Sequence, residues 1–380
     1  MIVHMLRRLI PSALAAPVLA AGFAAAAAAH PIVVATGQIG GAAYAIASPP
    51  DDWNHKVLII AHGYRPDSAP LIADLHPERG AVKAMIDDRW MVATTSYRRN
   101  GIIVEDAIAD LDALRAHIAE TYGEPERVLL EGDSLGGLIV TIMAERDKGL
   151  YDGAVVFDAA LYSKETDMKV GLSLLPRIPL LFVATERETA APKSYLTSLV
   201  SRPDPVVQPE LFLIKREGHT NINQAEHLLA FRALNAWLDR GRDALPQPGE
   251  NEIYFDATVP PDPGPSTAVL HKDGRGFDTR VAEVDAVYGN ILLEAQPRDF
   301  AAAGIEPMTY FELKLRSGSH RTLYGRTYTD VKEGEWIAFP DADGRTVLAR
   351  SYDDAAASAG LKVGDPLSLL ILDPKGPPLR

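Results

Sequence analysis

The sequence reads as an α/β protein, a mostly parallel sheet flanked by helices, joined to a second, small, mostly β domain. Three observations carry that reading. From about Ile32 to Leu245, short apolar runs alternate with amphipathic stretches, the rhythm of strand–helix units and a largely parallel sheet. Pro246 to Pro265 then breaks the rhythm with six prolines and two glycines. Beyond it, short strand-like runs are separated by Gly/Asp turns, the pattern of a small β domain.

Each element has its own signal. The strand-like runs of the first part are Tyr44–Ala47, Val57–Ala61, Met91–Thr95, Val128–Glu131, Ala154–Phe157, Leu180–Ala184 and Leu211–Ile214. Ile103 to Tyr122 is the clearest helix, because Val104, Ile108, Leu111, Leu114 and Ile118 recur at helical spacing behind an acidic start. A second helix runs from Gln224 to Arg242, apolar at Leu228, Phe231, Leu234 and Leu238. In the last part the runs are Val281–Val287, Ile291–Glu294, Tyr310–Leu315, Trp336–Phe339 and Leu367–Leu372. The Pro-rich stretch, which holds a short Ile253-Tyr254-Phe255 run, has the composition of an interdomain linker. The expected organisation is therefore 1–29, 30–245, 246–270 and 271–380.

The first 29 residues stand apart from the fold. Arg7 and Arg8 form a positive start, Leu9 to Ala28 is apolar and alanine-rich, and Ala27-Ala28-Ala29 precedes His30. That is the layout of a secretory signal with a small-residue cleavage site, and it places the mature protein in the periplasm or outside the cell. The chain has no cysteine, which excludes a thiol nucleophile, thiolate metal sites and lipid anchoring through cysteine. Its formal charge of −13 becomes −15 once Arg7 and Arg8 are removed. An acidic surface of this kind argues against nucleic acid or an anionic membrane as partner.

The most informative segment is Val128-Leu129-Leu130-Glu131-Gly132-Asp133-Ser134-Leu135-Gly136-Gly137. An apolar run leads into Gly-Asp-Ser-Leu-Gly, and a helical pattern from Leu138 follows. This is the strand–turn–helix setting in which a sharp turn lifts a serine hydroxyl above the sheet. The pattern alone is weak: at ordinary glycine usage of ~7% it arises by chance in about one chain in ten of this size. Its neighbours decide. A nucleophilic serine needs a base to take its proton, a group to orient that base, and donors for the developing oxyanion. Of ten histidines, His219 in Gly218-His219-Thr220-Asn221 sits in a Gly-flanked loop between a strand and an amphipathic helix. There a side chain can reach across to the serine. His117 and His227 fall within helices, and His271 and His320 in the second domain.

Residues 32–245 resemble the α/β-hydrolase superfamily. The marks are His62-Gly63 directly after Val57–Ala61, the Gly132–Gly136 elbow, an acid turn from Glu188 to Pro192, and Gly218-His219. The resemblance implies the order Ser, acid, His along the chain. Glu188 fits best, since its spacing to Pro192 resembles a G-x-x-D-x-x-x-P turn with Glu for Asp; Glu186 and Asp158 are the alternatives. It also implies an oxyanion hole from the backbone N–H groups of Leu135 and Tyr64. His62 reads as structural, and Tyr64, Arg98 and Arg99 as residues able to line the substrate cleft. Only about twenty residues separate Ala154–Phe157 from Leu180–Ala184, so no large cap is expected there and the cleft should admit bulky or extended esters. The expected activity is an exported serine hydrolase cleaving carboxylic esters, with a peptidase or amidase as the alternative of the same fold. No metal or organic cofactor is required.

From about Asp278 to Pro374 the chain resembles the C-terminal β domain of the S-adenosylmethionine hydroxide adenosyltransferases (chlorinase/fluorinase-like). The marks are Val284 to Asn290, Ala303-Gly304-Ile305, Tyr328 to Gly334, Ala349-Arg350, Ala355 to Leu361 and Gly364-Asp365. In that family this domain helps hold the adenosine, which implies Asn290 and Arg350 as ligand contacts. The pattern departs where Ser351 replaces an Asn and Tyr352-Asp353-Asp354 intervene, and the family's catalytic domain is replaced by the hydrolase-like one. The favoured role is accessory, as a homo-oligomerisation surface or a wall of the substrate cleft. The rival is a nucleoside-binding or S-adenosylmethionine-binding protein acting through this domain.

Overall fold

A computed structural model describes residues 32–50, 52–146, 149–161, 171–199, 207–245, 253–255 and 266–372. The segment read as a signal, and most of the Pro-rich stretch, lie outside the described residues.

The first sheet has nine strands in the order β1-β2-β4-β3-β5-β6-β7-β8-β9. They are β1 (Val33–Ile39), β2 (Ala42–Ser48), β3 (Lys56–Ala61), β4 (Met91–Thr95), β5 (Arg127–Asp133), β6 (Gly153–Phe157), β7 (Leu180–Thr185), β8 (Glu210–Ile214) and β9 (Ile253–Phe255). Only β1 and β2 run antiparallel to their neighbours; from β4 to β9 every pairing is parallel. The central strands are buried on both faces, which is why they read as unbroken apolar runs.

Helices cover both faces. α2 (Val104–Tyr122), α3 (Leu135–Arg146) and α4 (Ala190–Leu199) pack on one side through Leu111, Leu138 and Tyr195. α1 (Gly80–Asp87) and α5 (Gln224–Arg240) pack on the other through Met85 and Phe231. α5 opens with a capping box in which Asn223 and Glu226 satisfy each other's backbone N–H groups. In a sheet so built, ligands bind at the carboxyl ends of the parallel strands.

The second sheet holds β10 (Val269–Leu270), β11 (Gly276–Val284), β12 (Ile291–Leu293), β13 (Thr309–Leu315), β14 (Gly318–Tyr324), β15 (Trp336–Pro340), β16 (Thr346–Arg350) and β17 (Pro366–Ile371). Its order is β10-β11-β12-β16-β15-β14-β13-β17, and β17 pairs back onto β11. Seven strands thus close on themselves like a barrel, which removes the sheet edges, and β10 adds to β11. Phe277, Phe300, Phe311 and Leu369 fill the core, with Phe300 stacked on Tyr324 at 4.2 Å between ring centroids. Two short helices complete the domain, α6 (Pro297–Ala302) and α7 (Ala355–Ala359).

The Pro-rich stretch is more than a tether. β9 lies within it and extends the first sheet, while β10 belongs to the second. Strands of three and two residues are too short to announce themselves by periodicity. Among the described residues no helix is long and apolar enough to cross a membrane.

Candidate active site

Ser134 stands at the turn between β5 and α3 with φ of +52°, a left-handed conformation that costs a non-glycine residue on the order of 1–3 kcal/mol. The surrounding backbone enforces it. Ser134 N–H donates to Phe157 O at 3.0 Å, and Ser134 O accepts from Ala160 N at 2.9 Å. A Cβ on Gly132 would lie 2.3 Å from Gly136 O, and one on Gly136 would lie 2.0 Å from Ala61 O. No side chain fits at either position, so both glycines of the motif have a steric cause.

Three side chains from three loops meet at this turn. His219 Nε2 lies 2.8 Å from Ser134 Oγ, and His219 Nδ1 lies 3.2 Å from Glu188 Oε1. Glu188 ends a short 3₁₀ turn that follows β7 directly. Glu186 begins the same turn and is exposed, so the turn brings only one of the two carboxylates to the imidazole. The electrostatics agree on both partners. The hydrogen bond from His219 holds Glu188 below the usual glutamate range. The same bond raises His219 above the ordinary histidine value, against desolvation.

Asp158 sits elsewhere in the arrangement. It is fully buried after β6 and accepts from Thr185 N at 2.7 Å, Thr185 Oγ1 at 3.0 Å and Thr220 N at 2.7 Å. Thr185 Oγ1 also lies 2.9 Å from Gly218 O. Asp158 and Thr185 therefore grip the backbone on both sides of His219. That loop needs gripping, because Gly218 has φ of +109° and Thr220 of +53°. Burial pushes the Asp158 carboxyl up to about 6, opposed by its backbone donors. No motif announces this clamp.

Leu135 is the first residue of α3, where an N–H has no partner inside the helix. Tyr64 follows His62-Gly63 at the end of β3, half-exposed. Among the described residues neither N–H is committed to a backbone acceptor. A Cβ on Gly63 would lie 3.5 Å from Ser134 Cβ, so this loop runs alongside the elbow. His62 Nδ1 lies 2.7 Å from Gly63 O and its ring packs 4.0 Å from that of Tyr97. Burial lowers its pKa to about 4, so it stays neutral. Arg98 and Arg99 turn to α2: Arg98 forks onto Asp110 at 2.6 and 2.9 Å, and Arg99 binds Asp106 at 2.7 Å. Among the described residues no group of three or more His, Asp or Glu side chains is placed to hold a metal ion.

Serine after β5, carboxylate after β7 and histidine after β8 are the arrangement of the α/β-hydrolase fold, and that is the fold of the first domain. Solved structures similar to this chain include a putative dienelactone hydrolase from Klebsiella pneumoniae subsp. pneumoniae, 12% identical. It covers 55% of this chain and 99% of its own, at a TM-score of 0.43. An acylaminoacyl peptidase from Pyrococcus horikoshii is 11% identical, covers 58% of this chain and 43% of its own, and scores 0.43. An uncharacterized conserved protein from Thermotoga maritima is 20% identical over 28% of this chain and 40% of its own, and scores 0.26. This chain thus spans about two fifths of the latter two proteins. At such scores none of these likenesses bears on chemistry. No curated protein matches the chain.

The second domain has a sequence family. Residues 279–368 match the SAM hydroxide adenosyltransferase C-terminal domain. In this adenosyltransferase-like domain the two residues singled out as ligand contacts are engaged by their own neighbours. Arg350 donates to Gly334 O at 2.9 Å, Asp353 at 2.5 Å and Ser358 at 2.9 Å. Asn290 donates to Tyr328 Oη at 3.1 Å. Asp353 belongs to the Tyr352-Asp353-Asp354 departure, so the insertion supplies the carboxylate that occupies the arginine.

Among the described residues, polar contacts between the adenosyltransferase-like domain and the first include four. Tyr288 Oη donates to Tyr64 O at 2.6 Å, Arg79 pairs with Glu283, Gln224 N donates to Asp343 Oδ1 at 3.1 Å, and Arg326 lies 3.4 Å from Glu217. Tyr64, Arg79, Glu217 and Gln224 all lie in loops or helix starts at the carboxyl end of the sheet. These contacts place part of the second domain beside this end of the sheet.

Proposed function

We propose that the protein is an exported serine hydrolase that cleaves carboxylic esters through a Ser134–His219–Glu188 triad and an acyl-enzyme. The observation that carries this reading is the continuous contact from Ser134 Oγ to His219 Nε2, 2.8 Å, and from His219 Nδ1 to Glu188, 3.2 Å. Neutral His219 takes the hydroxyl proton as Oγ attacks the ester carbonyl. The tetrahedral oxyanion is met by the Leu135 and Tyr64 N–H groups. On collapse, His219 gives the proton to the departing alkoxide, leaving an acyl group on Ser134. Water, deprotonated by the same imidazole, then releases the acid and restores the serine. Glu188 orients the ring and stabilises the imidazolium formed in each half.

Esters are assigned ahead of amides on leaving-group chemistry. An alkoxide leaves with less proton assistance than an amide nitrogen, so an ester demands less of the acid and of substrate clamping. Export is supported by the Arg7-Arg8 start, the apolar stretch to Ala28 and the small residues before His30. The test is a panel of p-nitrophenyl acyl esters against matching p-nitroanilides. Turnover of the esters that disappears in Ser134→Ala, with anilides cleaved at least about 10²-fold more slowly, is the expected outcome; preferential anilide cleavage would establish a peptidase or amidase instead.

A further inference from the structure

The loop that carries the Tyr64 N–H is held by its carbonyls, residue by residue. His62 O accepts from Tyr97 Oη at 3.2 Å. Gly63 O faces His62 Nδ1 at 2.7 Å, and Arg65 O accepts from Gly101 N at 3.0 Å. These three partners belong to the first domain. The fourth carbonyl, Tyr64 O, takes its hydrogen bond from Tyr288 Oη, 224 residues away in the second domain. We propose that Tyr288 is a positioning residue of the hydrolytic site, its phenol fixing the Tyr64–Arg65 peptide, the unit directly after the one that carries the Tyr64 N–H, and thereby the oxyanion loop beside Ser134.

Tyr288 is aimed by a built turn. Asp285 Oδ1 accepts from Val287 N at 2.8 Å and Tyr288 N at 2.5 Å. Asp285 N donates to Asn290 O at 2.8 Å and Gly289 N to Asp285 O at 3.0 Å. Gly289, with φ of +68°, is seated against Asp354, whose Oδ1 lies 2.0 Å from where a Cβ would stand. Gly289 O in turn accepts from Ala356 N of α7. The phenol is thus anchored to the closed barrel, and a donor fixed to a rigid scaffold orients its acceptor better than a side chain on a free loop. Burial, then the nearby Asp133 charge, keep the phenol protonated, so it remains a donor across the working pH range.

The consequence is a division of labour. Ser134, His219, Glu188 and the Leu135 N–H come from the first domain, but the loop that carries the second oxyanion donor is tied, one peptide further on, by the other. Transition-state charge develops only as the carbonyl is attacked, so a misplaced donor lowers kcat and leaves substrate binding nearly untouched. This inference rests on the hydrolytic reading of Ser134.

The test compares the full chain with Tyr288→Phe, which keeps the ring and removes the donor, and with Glu283→Gln. The latter removes the carboxylate charge from the Arg79 contact between the domains without touching the oxyanion loop. Steady-state kinetics on p-nitrophenyl butyrate are measured beside amide hydrogen exchange of segment 62–68. We expect Tyr288→Phe to lose about tenfold in kcat with KM within about twofold, and to exchange faster in that segment. Glu283→Gln should stay within about twofold of the parent in kcat. A Tyr288→Phe enzyme with unchanged kcat or unchanged exchange overturns the proposal, as does an equal loss in Glu283→Gln, which would make domain docking the cause. Failure of the hydrolytic reading itself shows separately, as absence of fluorophosphonate labelling at Ser134 in the parent, and removes the proposal with it.

Discussion

The two domains treat their polar groups differently. In the first, Ser134, His219 and Glu188 converge from three loops on a point reached by solvent, and the backbone around them is strained at Ser134 and Thr220. In the second, two polar side chains are tied inward: Arg350 to Gly334, Asp353 and Ser358, and Asn290 to Tyr328. Left-handed φ is shared by both, since Met308 and Tyr352 of the second domain also adopt it; the difference lies in polar groups that stay exposed in one domain and are satisfied by their neighbours in the other. The proposed chemistry is accordingly placed in the first domain, with Tyr288 as the second domain's proposed contribution to it.

Substitutions in the two domains should differ in what they change. The largest effect belongs to Ser134→Ala, which should cut ester turnover by at least about 10⁴-fold while the fold persists, as thermal unfolding will check. Glu188→Gln should cost about 10²–10⁴-fold in kcat and move the pH profile. His219 must be neutral to act as base, so activity falls as pH drops through its pKa, which Glu188 raises. Without the carboxylate the acid limb of the kcat/KM profile should shift to lower pH. Glu186→Gln, on the same turn, should leave both measurements within about twofold of the parent.

Asp158→Asn tests the clamp on the histidine loop. An amide offers one acceptor oxygen where the carboxylate uses two, so either the Thr185 or the Thr220 contact is lost. A loss of about tenfold in kcat is expected, smaller than for Glu188 because no reacting atom is touched. The smallest effect tests the second domain. Arg350→Met should lower unfolding free energy by about 1–2 kcal/mol in urea titration and leave kcat within about twofold. A large loss of activity there would return a functional role to the arginine.

Much of this was legible in the residues. The central strands announce themselves because burial on both faces demands continuous apolar runs, and Val57–Ala61, Met91–Thr95 and Leu180–Ala184 all lie within observed strands. Ser134 and His219 were legible because the elbow needs glycines and the histidine loop needs one. What escaped lacked a local signal. β1 lies at the sheet edge, largely accessible to solvent, and β14 reads Gly-Ser-His-Arg-Thr-Leu-Tyr, too polar for a core strand by pattern. The grip of Asp158 and Thr185 spans 27 residues to one another and 62 to Thr220. The Tyr288–Tyr64 contact crosses from one domain to the other. Periodicity reports neighbours along the chain, whereas these bonds are products of the tertiary fold.

The central claim, that Ser134 is the activated nucleophile, is tested most directly by labelling with a fluorophosphonate followed by peptide mass mapping. A single stoichiometric adduct is expected on the peptide containing Gly132-Asp133-Ser134-Leu135-Gly136, forming more slowly as pH falls through the His219 titration. An unlabelled Ser134 in the folded protein, or an adduct on another serine, would contradict it.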